Sequence, residues 1–189
     1  MIFYIGGSPC AGKSTAAEHM ENLTRCKVLH LDDFLDETTK AAAKDGKPCC
    51  SEYYALLNSE NGTDKVWMRD PAEQCEKEIG IYREAFPYAW EKVQAFLKEC
   101  DGFALIEGCQ LMPEMMHEMG IPATEYICMI PDPAFLREEY PKRSFVDIIL
   151  KNANDKKAAF DHWMQRDILF AAEMEKQARS FGYRVKITK

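Results

Sequence analysis

The stretch MIFYIGGSPCAGKSTAAEH, residues 1–19, decides how this chain is read. Residues 2–6 (IFYIG) are a short apolar run ending in glycine, the pattern of a buried strand. Residues 14–22 predict a helix. Between them Gly7, Ser8, Pro9, Cys10, Ala11, Gly12, Lys13 and Ser14 match G-x-x-x-x-G-K-[ST] in full, and Thr15 follows. Glycines let such a turn close tightly, so that successive backbone N–H groups converge on phosphate oxygens. The start of the next helix adds partial positive charge. In that geometry Lys13 would reach the β- and γ-phosphates of ATP and the Ser14 hydroxyl would hold Mg²⁺. Pro9 removes one N–H donor, early in the loop where the loss is tolerable.

Four more strands are predicted, at 27–31 (KVLHL), 103–107 (FALIE), 125–130 (EYICMI) and 184–187 (RVKI). Helical patterns separate them, at 72–86, 88–100 and about 156–180. Pro87 predicts a break or kink between the first two. In the second, Trp90, Val93, Leu97 and Cys100 share one face. The segment Leu111–Met119, rich in methionine, reads as a helix packed on the sheet. Strands alternating with helices imply an α/β domain with a mostly parallel sheet covered on both faces.

In such a sheet, ligands gather at the carboxyl ends of the strands. Two acidic features lie there: Asp32-Asp33 after the second strand, and Glu107 at the end of the third. Phosphoryl transfer to an alcohol needs Mg²⁺ on the phosphates, cations on the transferring oxygens, and a carboxylate to take the hydroxyl proton. A helix cap or solvated turn is the plainer reading of Asp32-Asp33, and a solvated strand end that of Glu107, but their place beside the loop favours function.

The combination of GGSPCAGKST, HLDDFL and ALIEG resembles the P-loop small-molecule kinases, above all the nicotinamide riboside and uridine kinase group; the Ile-Glu-Gly stretch also resembles 2-phosphoglycerate kinase. The likeness covers roughly residues 1–35 and 103–112 and the strand order. It implies a P-loop NTPase three-layer α/β/α sandwich with five strands. It also implies Asp32 as general base, with Asp33 as the competing choice, and Glu107 with Ser14 at Mg²⁺. Residues 7–15 would bind ATP. The acceptor would be a small molecule.

Outside those motifs, residues 34–100 read as a helical excursion that recognises the acceptor, and about 137–157 as a lid within one domain of residues 1–189. Arg137, Lys142 and Arg143 are the lid's cations, and Arg137 or Arg143 would close over the phosphates. Glu138 and Glu139 favour a solvated helix there instead. Trp67-Met68-Arg69-Asp70-Pro71, with Tyr53, Tyr54 and Arg83, is a candidate acceptor wall; Arg69 and Arg83 would grip an anionic group. Asp70 also reads as a helix cap and Trp67 as core. Arg166 is expected to pair with a carboxylate structurally. His30 and His117 have no partner at metal spacing and read as structural or exposed.

The chain carries a net charge of −7 over 189 residues, so it has no broad reason to hold a nucleic acid backbone. No apolar run is long enough for a bilayer, and the opening residues read as a strand, not a signal peptide. Eight cysteines without any CxxC spacing suit a reduced, cytoplasmic setting better than zinc or a disulfide scaffold. No NKxD or LSGGQ sequence is present, which disfavours GTPases and ABC transporters. Two other readings compete with a kinase: an ATPase coupled to conformational change, and a nucleotide-binding regulatory module without chemistry.

Overall fold

The computed structural model describes residues 1–189. Its sheet has five strands, β1 (Ile2–Gly7), β2 (Lys27–His30), β3 (Ala104–Glu107), β4 (Tyr126–Pro131) and β5 (Arg184–Thr188), in the order β2-β3-β1-β4-β5. Every pairing is parallel. The chain leaves β1 toward one side of the sheet and leaves β3 toward the other. The crevice at their carboxyl ends is thus the switch point where ligands collect in open α/β sheets.

Register brings the motifs to that edge. Ile5 and His30 both lie opposite Glu107, and Gly7 lies opposite Met129. Gly7 turns out of the strand at φ +116°, and a Cβ there would come within 2.0 Å of the Met129 carbonyl oxygen. Only glycine lets the loop leave β1 so close to β4.

The period of two along each strand builds the layers. Ile5, Leu105 and Met129 point to one face, where Ala17 of α1 (Lys13–Thr24) covers them. Tyr4, Ile106, Tyr126, Cys128 and Ile130 point to the other. That face carries the larger core, closed by three helices: α5 (Pro71–Lys98), α6 (Pro113–Glu118) and α9 (Lys156–Ser180). Helices on both faces make three layers, α/β/α.

The polar stretch after β2 starts with a 3₁₀ turn, Leu31–Phe34, and continues as three short helices: α2 (Leu35–Lys44), α3 (Pro48–Leu57) and α4 (Gly62–Trp67). Asp70 then caps α5, accepting hydrogen bonds from the N–H groups of Ala72 (2.9 Å) and Glu73 (3.4 Å). Trp67 is buried. After β4 come α7 (Pro133–Glu139), a 3₁₀ turn (Tyr140–Lys142) and α8 (Phe145–Ile149).

The break expected at Pro87 is corrected: α5 runs 28 residues through it. Ala85, Phe86, Ala89 and Val93 are all buried across the proline, so core burial outweighs one lost backbone hydrogen bond. All eight cysteines are free thiols, and no helix is long and apolar enough to cross a membrane.

Candidate functional site

The loop between β1 and α1 rests on fixed supports. Ser8 N–H donates to the Met129 carbonyl at 3.0 Å, and the Thr188 hydroxyl at the end of β5 donates to the Ala11 carbonyl at 2.8 Å. Cys10 holds φ +61°, a left-handed conformation that costs a β-carbon residue ~1 kcal/mol and clusters at functional turns. No side chain caps α1.

Lys13 opens α1 and is 5% exposed. Its Nζ donates to the Ser8 carbonyl (2.9 Å) and lies 3.1 Å from Cys109 Sγ. Burial alone would push its pKa down, but neighbouring negative groups outweigh that and hold it above the ordinary lysine value. Burial likewise pushes the Cys109 thiol up, so that sulfur is neutral at physiological pH. Asp32 and Glu107 therefore supply the charge that keeps Lys13 an ammonium.

Cys109 also joins the two acidic motifs. Its backbone N–H donates to Asp32 Oδ1 at 2.7 Å. Gly108, just before it, packs so tightly that a Cβ would fall 2.9 Å from that same oxygen. The strand-end Glu-Gly pair thereby fixes where Asp32 points.

Glu107 is 1% exposed. Its Oε1 accepts from the Ser14 hydroxyl at 2.9 Å and meets His30 Nδ1 at 2.7 Å, while its Oε2 has no partner. A buried, half-satisfied carboxylate beside a serine hydroxyl is a hard-oxygen donor set, suited to Mg²⁺. No group of three or more His, Cys, Asp and Glu side chains is placed to hold a metal by itself. Burial lowers the His30 pKa, but the hydrogen bond and charge of Glu107 outweigh this and raise it above the ordinary histidine value.

Beside this cluster lies a cavity of about 850 Å³, which Glu107 and His30 do not themselves line. Lys13, Ser14, Asp32, Asp33 and Cys109 face it from the strand edge. The opposite wall comes from the excursion after β2: Glu52 and Tyr53 of α3, Arg69 after α4, and Lys77 and Tyr82 of α5. Burial, with the Glu78 charge, pushes the Tyr53 phenol up to about 12, so it serves as a neutral hydrogen-bonding group. Arg143 enters from the lid side, over the rings of Tyr140 (5.7 Å) and Phe145 (6.0 Å).

Not every expected residue is brought in. Arg137 is exposed on α7 and does not line the cavity. Arg83 is turned away, its guanidinium forked onto Glu114 with Nη2 2.7 Å from Oε2. Of the arginines proposed for substrate or phosphate, only Arg69 and Arg143 reach the cavity. Arg166 is paired, as expected, with Asp167 (2.6 Å) and Glu78 (3.3 Å), yet it also lines the cavity. His30 and Cys109 were not anticipated as site residues. His30 opens the HLDDFL stretch and Cys109 directly follows ALIEG, but neither residue type at that spacing signals a role by itself.

No protein-family model matches the chain, and no curated protein does. Among solved structures it is similar to TT1252 from Thermus thermophilus, with a TM-score of 0.55 and 16% identity over 100% of this chain and 88% of that one. Likeness at such low identity bears on the fold alone, and it agrees with an α/β sandwich around a parallel sheet.

Proposed function

We propose that the protein is a P-loop kinase, an ATP-dependent phosphotransferase acting on a hydroxyl of a small molecule. One observation carries the reading: Lys13, Ser14 and Asp32, from two motifs apart in sequence, line one end of a cavity whose other wall is a helical excursion, and Glu107, from a third, bonds the Ser14 hydroxyl. A regulatory nucleotide-binding module has no use for a carboxylate lining the cavity beside the lysine of the loop.

In this reading the amide groups of residues 7–15 and the Lys13 ammonium bind the phosphates of ATP. Lys13 already holds its charge despite burial, and its third N–H is free to donate. Asp32, positioned through Oδ1 by Cys109 N–H, keeps its second oxygen to take the acceptor's proton. Ser14 and Glu107 would hold Mg²⁺, with the unpartnered Glu107 Oε2 as the vacant acceptor. When bound, that ion neutralises charge on the transferring group. Arg143, on an exposed turn between two aromatic rings, is the lid cation in place of Arg137. Phosphoryl transfer of this kind would fit an intracellular enzyme with no membrane or nucleic acid partner.

The test uses γ-labelled ATP and Mg²⁺, with and without a mixed pool of hydroxylated metabolites. Label passing to a small acceptor is the expected result. Acceptor-independent phosphate release would make the protein an ATPase instead, and binding without turnover would make it a regulatory module.

A further inference from the structure

We infer that the acceptor carries an anionic group, a carboxylate or a phosphate, and that Arg69 and Lys77 hold it where Glu52 now sits. The acceptor's identity rests on the kinase reading above; the anion site itself does not.

Glu52 projects from α3 into the cavity wall. Its Oε1 accepts from Arg69 Nη2 at 2.9 Å and its Oε2 accepts from Lys77 Nζ at 2.5 Å. One carboxylate thus bridges two cations from outside its own helix. The Lys77 hydrogen bond, with that of Arg69, holds the Glu52 carboxyl below the ordinary range despite some burial. The position therefore favours a negative charge.

The two sides of the bridge differ in how firmly they are held. The Arg69 backbone is pinned from two helices: Gln74 Nε2 donates to its carbonyl at 2.9 Å, and His162 Nδ1 lies 2.9 Å from the same oxygen. The Arg69 side chain is 20% exposed, whereas that of Glu52 is 37% exposed and hangs on a single helix. Swinging Glu52 into water costs little, because it returns to a hydrated state. The bonds to Gln74 and His162 fix the Arg69 main chain, and so the root of its side chain, against α5 and α9. Arg166 also lines the cavity, 5.2 Å from the Trp67 ring, but its charge is already met by Asp167 and Glu78, so the cations open to a ligand here are Arg69 and Lys77.

Lys40 with Asp36 and Arg179 with Glu175 are i,i+4 pairs within exposed helix faces. Arg83 with Glu114 and Lys92 with Glu37 do join separate elements, but outside the cavity. The Arg69–Glu52–Lys77 bridge joins separate elements and faces the same cavity as Lys13 and Asp32. A carboxylate or phosphate on the acceptor would replace Glu52 there, and Arg69 offers it a planar two-donor fork. Its hydroxyl would then be fixed relative to Asp32.

Three matched probes test this: lactate, glycerol 3-phosphate and glycerol. Each carries a hydroxyl, and they differ in bearing a carboxylate, a phosphate or no charge. They are titrated into ¹⁵N-labelled protein with ADP·Mg²⁺ present, reading the Arg69 Nε–Hε resonance, which Arg69→Lys assigns by its loss. At least one anion should shift that resonance, glycerol should not, and which anion binds more tightly tells carboxylate from phosphate. Glu52→Gln removes the internal competitor and should tighten anion binding ~10-fold. Glu73→Gln is the control: Glu73 lies 3.7 Å from Arg69 but does not line the cavity, so its loss should change affinity less than ~2-fold.

No anion-induced shift at Arg69, an equal response to glycerol, or unchanged affinity in Glu52→Gln would overturn the inference. Failure of ADP to bind would instead sink the kinase reading, since the Arg69 signal reports anions regardless of nucleotide.

Discussion

Asp32 shows how much of this site depends on a single atom. Its Oδ1 is committed to the Cys109 N–H, so only Oδ2 is free for chemistry. An asparagine can keep the same hydrogen bond through its amide oxygen, while an alanine loses both bond and base. Asp32→Asn is therefore expected to lower phosphotransfer ~10²–10⁴-fold, the usual worth of a general base. ATP affinity and melting temperature should stay close to wild type. Asp32→Ala should lose stability as well, because it orphans a part-buried N–H. Full activity in the asparagine variant, by steady-state kinetics, would move the role to Asp33. His30 makes a second residue-scale claim. Its folded-state pKa lies above the unfolded value of 6.5. The His30–Glu107 contact therefore stabilises fully below that unfolded value and fades as pH rises through the raised one. His30→Gln, without added Mg²⁺, should cost more stability at pH 6 than at pH 9. The difference should be no more than ~1 kcal/mol, because the ring is 32% exposed. Urea melts at the two pH values measure it, and an equal or larger loss at pH 9 contradicts it.

At the scale of elements, α5 is where local rules and packing disagree. Pro87 lacks the N–H that would bond the Arg83 carbonyl, and its ring crowds that oxygen. Yet Phe86 and Ala89 on either side are buried against the main core, and the helix carries on. Pro87 itself is exposed, so its side chain contributes little to packing. Pro87→Ala should stabilise the protein by ~1–2 kcal/mol, the restored helix outweighing the greater freedom of the unfolded chain. A higher urea midpoint at unchanged slope is the expected result; a lower midpoint would mean that the core is fitted to the kink. The strands were easier to read, because each is an apolar run closed by glycine, proline or acid, and period two sorts its residues onto two faces. The excursion was legible only as polar and long, since α2, α3 and α4 are short and gain order from packing on α5 and α9. The close contacts of the site depend on register. Lys13 and Cys109 are 96 residues apart, and nothing local to either predicts 3.1 Å between Nζ and Sγ. Arg83 and Arg137 carry the same charge as Arg69 and Arg143, but they sit on helices, one turned to Glu114 and one to solvent, while Arg69 and Arg143 stand in turns that border the cavity.

The whole molecule joins a rigid strand edge to a wall of short helices across one cavity, and ligand binding should therefore be visible as global stability. A net charge of −7 gives no general attraction for a polyphosphate. In the kinase reading, binding would come from the amides of the loop, Lys13, and a divalent cation at Ser14 and Glu107. Ligand that binds only the folded state stabilises it by RT ln(1 + [L]/Kd), or ~2.7 kcal/mol at a hundredfold excess over Kd. For a chain of this size each kcal/mol moves the melting temperature by ~2–4 °C. ATP with Mg²⁺ at saturating concentration should thus raise it by ~5–11 °C. Because Glu107 Oε2 is buried and unpartnered, much of that gain should need the cation. EDTA should remove most of the shift, and Mg²⁺ alone should produce little, since the site offers it too few ligands without phosphate. Lys13→Ala should abolish the shift; the free protein should lose some stability, because Asp32 and Glu107 lose a counter-charge, but stay folded, because the hydrogen bonds of Lys13 reach only its own loop and one thiol. Scanning calorimetry with ATP, ATP·Mg²⁺ and Mg²⁺ separates these cases. A melting temperature that ignores ATP·Mg²⁺ at millimolar concentration, or responds equally in Lys13→Ala, would remove the loop from phosphate binding.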